Sequence, residues 1–346
     1  MSPLFVPLLA VLIGQVSPSH YDYDYYQGPS MMLGPPGPNC PEECECPVLF
    51  PSAMYCNKRN LKSVPVVPNG IKYLYLQDNN LKEIKASAFV NATDLRWLIL
   101  DNNQLTNGAV EKGIFEKLGS LEKLHVNFNN LTEPLGPLAK TMNELKITWN
   151  KLSKFPSGTL SGLENLTMID LHGNELTSDG IAGAFKGLKS LVYLDVSKNK
   201  LGKLPMGLPS SIEMLYADYN EIGSVPKEFA NKLPQLQYLR IAHNKLADAG
   251  IPPGAFNVST LIELDLSYNK LQTIPEVNEN LENLYLQVNK ISKFDVGSFC
   301  KYMTAINFSK LRHLRLDGNN LTRSSVPDEA ANCLRLATDV MVEPTD

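Results

Sequence analysis

The amino-acid sequence predicts an α/β solenoid: short repeats stacked into a horseshoe, with a parallel sheet on the concave side and mostly irregular or short-helical returns on the convex side. Three observations predict it. A leucine pattern recurs eleven times, the interval between copies keeps a rhythm, and all six cysteines lie near the two ends of the repeated region.

The chain's 346 residues, 43% hydrophobic and 20% charged, suit a folded protein rather than a disordered one. A formal net charge of -4 gives no reason to expect nucleic-acid binding. Leu4 to Ile13 is a short apolar run, followed by small residues at Ser17, Pro18 and Ser19. It reads as a signal peptide over residues 1–19, cut before His20, so the chain is expected to be secreted. A run of about ten residues is too short to span a hydrocarbon core of roughly 30 Å, and no membrane span is expected elsewhere.

Residues 20–39 differ in kind. Tyr21, Tyr23, Tyr25 and Tyr26 flank Asp22 and Asp24, and the stretch to Pro38 is rich in proline and glycine. Such a segment has little to bury and is expected to be flexible. Tyrosines beside acids in an exported chain are candidates for sulfation, which would make the tail a polyanionic arm for basic matrix proteins.

The next segment, 40–60, holds Cys40, Cys44, Cys46 and Cys56 and reads as an N-terminal cap. Four thiolates can hold zinc, but a single residue between Cys44 and Cys46 fits paired C-x₂-C knuckles badly. Disulfides are expected in an oxidising compartment, and the spacing leaves three pairings open.

Residues 61–321 form the array. The pattern L-x-x-L-x-L-x-x-N-x-L stands in LRWLILDNNQL from Leu95 and in LIELDLSYNKL from Leu261. Its asparagines fall at Asn79, Asn103, Asn129, Asn150, Asn174, Asn199, Asn220, Asn244, Asn269, Asn289 and Asn319, and a degenerate unit precedes them with Arg59 in the asparagine position. Leucines two apart, such as Leu98 and Leu100, point the same way from a short strand. One strand cannot bury that face alone, so each unit must stack on the next, which defines a leucine-rich repeat horseshoe. The asparagine sits where the chain leaves the strand and can satisfy backbone groups that the turn would strand inside.

Gaps between asparagines run 24, 26, 21, 24, 25, 21, 24, 25, 20 and 30 residues. Short units open at Asn129, Asn199 and Asn269 and soon reach Pro134, Pro205 and Pro275, so tight extended returns are expected there. Longer units have room for a helical turn, and Phe89, Phe115, Phe185, Phe229 and Phe256 are expected to pack the outer side of the core. The final gap contains Cys300, and Cys333 follows the last repeat. Residues 290–346 therefore read as a capping region, overlapping the array, whose extended ear-like repeat is tied back over the far end. Closing that loop is worth roughly 4 kcal/mol on the chain-entropy estimate.

Strand positions between the leucines should face solvent on the concave side: Tyr75, His125, Lys146, Asp170, Asp195, Tyr216, Arg240, Asp265, Tyr285 and Arg315. Mixed charge with aromatics suits a protein partner, against the plainer reading of a solvated face. Asp170 and His172 could be read as an acid with a base, but no nucleophile elbow, HExxH or phosphate loop accompanies them. No enzymatic activity, cofactor or metal is expected. Candidate N-glycosylation acceptors, N-x-[ST], stand at Asn91, Asn130, Asn165, Asn257, Asn307 and Asn320.

Together the tyrosine-acidic tail, the C-x₃-C-x-C-x₉-C cluster, the array and the terminal Cys300 and Cys333 resemble the class II small leucine-rich proteoglycans, the keratan sulfate proteoglycans of the extracellular matrix. The resemblance covers the whole chain. It implies pairing of Cys40 with Cys46, Cys44 with Cys56 and Cys300 with Cys333. It also implies binding to fibrillar collagen, control of fibril diameter and spacing, and keratan sulfate on asparagine-linked glycans. Asn91, Asn130, Asn165 and Asn257 match the family's sites, while Asn307 and Asn320 are additional. Asp218 matches the family's collagen-binding aspartate in the setting Leu215-Tyr-Ala-Asp218, where Ala217 replaces the usual second leucine. Asp195 and Tyr216 are its neighbouring candidates from geometry. The tail has no Ser-Gly acceptor for serine-linked chains. Two rival expectations stand beside this one: a module for cell-surface or innate-immune receptors, and a homodimer that acts mainly through its glycans.

Overall fold

The computed structural model describes residues 39–302, 304 and 308–343. The expected signal peptide, the tail with Tyr21, Tyr23, Tyr25 and Tyr26, and the acceptor Asn307 lie outside the described residues. Thirteen three-residue strands form one sheet: β1 Ala53–Tyr55, β2 Tyr73–Tyr75, β3 Trp97–Ile99, β4 Lys123–His125, β5 Glu144–Lys146, β6 Met168–Asp170, β7 Tyr193–Asp195, β8 Met214–Tyr216, β9 Tyr238–Arg240, β10 Glu263–Asp265, β11 Asn283–Tyr285, β12 His313–Arg315 and β13 Asp339–Met341. Every neighbouring pair is parallel and the sheet order is the sequence order. The fold is thus the leucine-rich repeat solenoid that the pattern predicts.

Register follows from the leucines. The middle residues pair across the sheet, Leu194 with Leu215 and Leu239 with Leu264, and all four are fully buried. A slip of one residue would turn this row out to solvent, so burial fixes the alignment. Phe89, Phe115, Phe185, Phe229 and Phe256 line the far side of the same core, none more than 7% exposed. Short units return without a helix, and so do the longer units after Asn150 and Asn174, whereas other longer ones carry single helical turns such as α1 Ile114–Lys117 and α2 Phe229–Lys232.

Each asparagine ties its unit to the one before. Asn103 Nδ2 donates to the carbonyls of Leu76 and Leu100 at 3.0 Å, while its Oδ1 accepts from the Leu81 N–H at 3.0 Å. Asn79, Asn129, Asn174, Asn199, Asn220 and Asn244 repeat the arrangement. The residue just before the asparagine takes left-handed backbone in all eleven units, with φ between 51° and 71°. Glycine meets that demand without cost only at Gly173 and Gly318.

Both ends are closed. Cys40 is bonded to Cys46 and Cys44 to Cys56, and Glu45 pairs antiparallel with Tyr55 across the open edge of β1. Arg59, in the asparagine place, reaches Glu45 as an ion pair and so fastens the cap to the first unit. Cys300 is bonded to Cys333, at the end of α3 Ala330–Cys333. β13 lies beyond the array boundary at residue 321 and adds a strand to the twelve units read from the sequence. Its Val340 pairs with Leu314 but is 38% exposed, as expected of the edge strand of the described sheet.

Candidate functional site: the concave face

Because side chains alternate along a strand, the residues flanking each buried leucine share the concave face. The face holds one more row than the sequence reading assigned it. The residue two places earlier, as in Trp97, Glu144, Tyr193 and Tyr238, stands beside the expected row, and none of these four is buried. Period-two alternation was the signal that could have found it.

Two expected solvent-facing positions are covered instead. His125 is 1% exposed because Glu144 of the next strand closes over it, with Oε1 2.7 Å from His125 Nε2. Lys123 Nζ lies 2.8 Å from the other oxygen of Glu144. Burial pushes the Glu144 carboxyl up, but the contacts from His125 and Lys123 outweigh it and hold the group down at about 2. Asp265 is only 9% exposed, with Oδ1 accepting from the Ser267 N–H at 2.9 Å and the Ser267 hydroxyl at 2.6 Å.

Aspartates on this face serve the backbone in two ways. Asp170 accepts from the His172 N–H at 3.1 Å and Asp195 from the Ser197 N–H at 2.7 Å, each two residues on. The suspected acid and base at Asp170 and His172 are therefore joined by a turn contact through the His172 main chain. Asp101 and Asp218 instead accept from the next unit: the Asn127 N–H at 2.8 Å and the Ala242 N–H at 2.7 Å.

Asp218 stands at the centre of the face, just past β8, and is 8% exposed. Arg240 Nε of β9 lies 3.0 Å from its second oxygen but off the line of the N–H, so the contact is an ion pair rather than an aligned hydrogen bond. Burial pushes the Asp218 carboxyl up to about 7, against the pull of Arg240 and with the added repulsion of Asp265. The Arg240 side chain is 42% exposed where that of Asp218 is 12%, so the guanidinium is the member of the pair that a partner meets. It lies 5.6 Å from the Tyr216 ring centre, and Tyr216 packs edge-on against Tyr193 at 5.5 Å. The structure thus brings Asp218 and Tyr216 to one locus with Arg240, which the sequence reading placed on the face but not among the binding candidates. Asp195 pairs in register with Tyr216 on the adjacent strand and lies 3.9 Å from His172 Nδ1.

The five described glycosylation acceptors, Asn91, Asn130, Asn165, Asn257 and Asn320, are all exposed. Among the described residues, no group of three or more histidines, cysteines, aspartates or glutamates is placed to hold a metal, and no helix is long and apolar enough to cross a membrane.

Fold and face together define a disulfide-capped leucine-rich repeat protein with a mixed-charge, tyrosine-lined concave sheet. Residues 69–132 and 140–201 match the leucine rich repeat family, and residues 39–68 match the leucine rich repeat N-terminal domain. The chain is 53% identical to lumican of Bos taurus over 97% of its own length and 98% of the relative's. It is 47% identical to fibromodulin of Homo sapiens over 90% of this chain and 84% of that one. Among solved structures, it resembles a chain from the octameric complex of latrophilin 3, Unc5D and the leucine-rich repeats of FLRT2, with a TM-score of 0.69 and 26% identity over 88% of this chain and 85% of that chain. The chain belongs to the lumican family of class II small leucine-rich proteoglycans.

Proposed function

We propose that the chain is the core protein of a secreted matrix proteoglycan that binds fibrillar collagen and limits fibril diameter and spacing. Family membership over nearly the whole length supports the class of partner. The observation that carries the docking site is the exposed Arg240 guanidinium, braced by buried Asp218 and set among Tyr216, Tyr193 and Asp195. A collagen fibril offers both signs of charge, which such a face can pair. Docked protein would hinder lateral fusion of fibrils. Glycans bearing keratan sulfate, at exposed acceptors such as Asn91, Asn165 and Asn257, would project into the space between fibrils and hold them apart. Sulfation of the tyrosine tail would add a polyanionic arm for basic partners.

Fibril formation is measured with the intact glycoprotein, its deglycosylated core, and Asp218→Ala and Arg240→Ala variants. Narrow fibrils with the intact protein and the core, and wide ones with both variants, are the expected outcome. Unchanged fibril diameter and no binding with the intact protein would sink the reading, and loss only on deglycosylation would move the function to the glycans. The likeness to the complexed FLRT2 repeats supports a second reading, binding to a cell-surface receptor.

A further inference from the structure

Two residues past the end of each strand from β4 to β10, the main-chain N–H is taken by a side chain. Three of these amides are served locally, by an aspartate two residues earlier: Asp170 takes His172, Asp195 takes Ser197 and Asp265 takes Ser267. The other four are served from the preceding unit: Asp101 takes Asn127, Asn127 takes Thr148, Ser197 takes Asp218 and Asp218 takes Ala242. Among the described residues, Ser197 is where the two kinds of contact join.

The joined contacts form a relay across β7, β8 and β9, the strands that carry the Arg240 locus. Asp195 Oδ1 accepts from the Ser197 N–H at 2.7 Å, the Ser197 hydroxyl oxygen accepts from the Asp218 N–H at 3.1 Å, and Asp218 Oδ1 accepts from the Ala242 N–H at 2.7 Å. It ends there, because a methyl group cannot pass it on. Ser197 and Ala242 are each 4% exposed, so neither meets a partner. Asp195 is also turned inward, with its second oxygen 3.9 Å from His172 Nδ1. A carboxyl turns easily about its last torsion. At Asp218 the Ala242 N–H fixes one oxygen, which leaves the other facing Arg240 Nε at 3.0 Å. The plainer account is that each contact only satisfies a buried amide. That account needs no continuity between units, since Asp265 satisfies Ser267 within one.

We propose that Asp195 and Ser197 are positioning residues for the collagen contact: they hold Asp218, and through it the Arg240 guanidinium, in the binding orientation without touching the partner. An arginine side chain has much rotamer freedom to lose on binding, and a brace that orders it beforehand lowers that cost. Ser197 fixes the backbone from which the brace projects, and Asp195 fixes Ser197. This assignment rests on the collagen reading and makes Asp195 a support rather than a contact.

Binding of the full secreted chain to reconstituted collagen fibrils is measured for a set of variants, with folding checked by circular dichroism and urea unfolding. Ser197→Ala removes the hydroxyl acceptor and is expected to bind roughly fivefold more weakly than the parent, the effect of about one hydrogen bond. Ser197→Thr restores an acceptor, in a row where Thr148 already stands, and is expected to recover most of that loss. Asn127→Ala breaks the corresponding link to Thr148 outside the locus, so it is expected to lose stability as Ser197→Ala does yet bind as the parent. Asp195→Asn keeps a side-chain oxygen for the Ser197 N–H and is expected to bind better than Asp195→Ala; this pair carries the test if Ser197→Ala does not fold. Parent-like binding by folded Ser197→Ala, no rescue by threonine, or equal loss in Ser197→Ala and Asn127→Ala overturns the proposal. Equal loss in the two Asp195 variants also overturns it, by making the carboxylate itself a contact. If Asp218→Ala and Arg240→Ala lose binding while Ser197→Ala keeps it, the relay fails and the collagen reading stands; no binding by the parent overturns both.

Discussion

Asp218 shows how a single side chain at the centre of the concave face couples local geometry to stability. Its carboxyl is raised from an ordinary 3.8 to about 7, chiefly by burial. A folded value above the unfolded one means the folded state holds the proton more tightly, so this contribution is full below about pH 4 and is lost as pH rises through about 7. Three pH units correspond to about 4 kcal/mol as an upper bound. Urea unfolding of the parent and of Asp218→Asn from pH 4 to 8 should therefore show the parent losing stability relative to the variant as pH rises. Glu144 works in the opposite sense: held down at about 2, it contributes stability above its ordinary 4.5 that is lost as pH falls toward 2. Glu144→Gln should flatten that acid limb and leave the neutral one unchanged. Neither environment was legible in the sequence. Resemblance singled out Asp218, but the charges that act on its carboxyl, Arg240 and Asp265, stand in the two following units.

At the scale of the element, the repeat carries its own evidence. Strands β2 to β12 were legible because leucine spacing states both their position and their buried side. Leu194→Ala or Leu264→Ala, each fully buried, should cost about 2 to 5 kcal/mol in chemical unfolding. A loss below about 1 kcal/mol at both would contradict the leucine row. Asn174→Ala should cost about 2 to 4 kcal/mol without removing any apolar surface, because it leaves the Leu152 N–H and the Ile147 carbonyl unpaired in the interior. β13 was not legible, since Thr338-Asp-Val-Met-Val342 carries none of the leucine pattern and is a strand only because β12 offers it an edge. The convex turns were equally silent: four residues of helix such as α1 are fixed by packing of Phe115 rather than by local preference.

The whole molecule is a one-dimensional stack, in which each unit depends on its neighbours and the ends are weakest. Disulfides at both ends answer that weakness, and the cysteine positions announced it. Their spacing alone left the N-terminal pairs open, because four cysteines within so short a segment fit three connectivities. Replacing Cys300 and Cys333 together by serine should cost up to about 4 kcal/mol on the chain-entropy estimate. Limited proteolysis should find the first new cuts beyond β11, with the middle of the array intact. The concave face was legible as a composition but not as a proposed site, since only the structure shows which of two opposed charges is exposed. Hydrogen–deuterium exchange of the full chain with and without collagen fibrils tests that assignment most directly. Slowed exchange concentrated in peptides covering β7 to β10 is the expected result; slowed exchange confined to the convex returns, or none anywhere, would contradict a concave docking site.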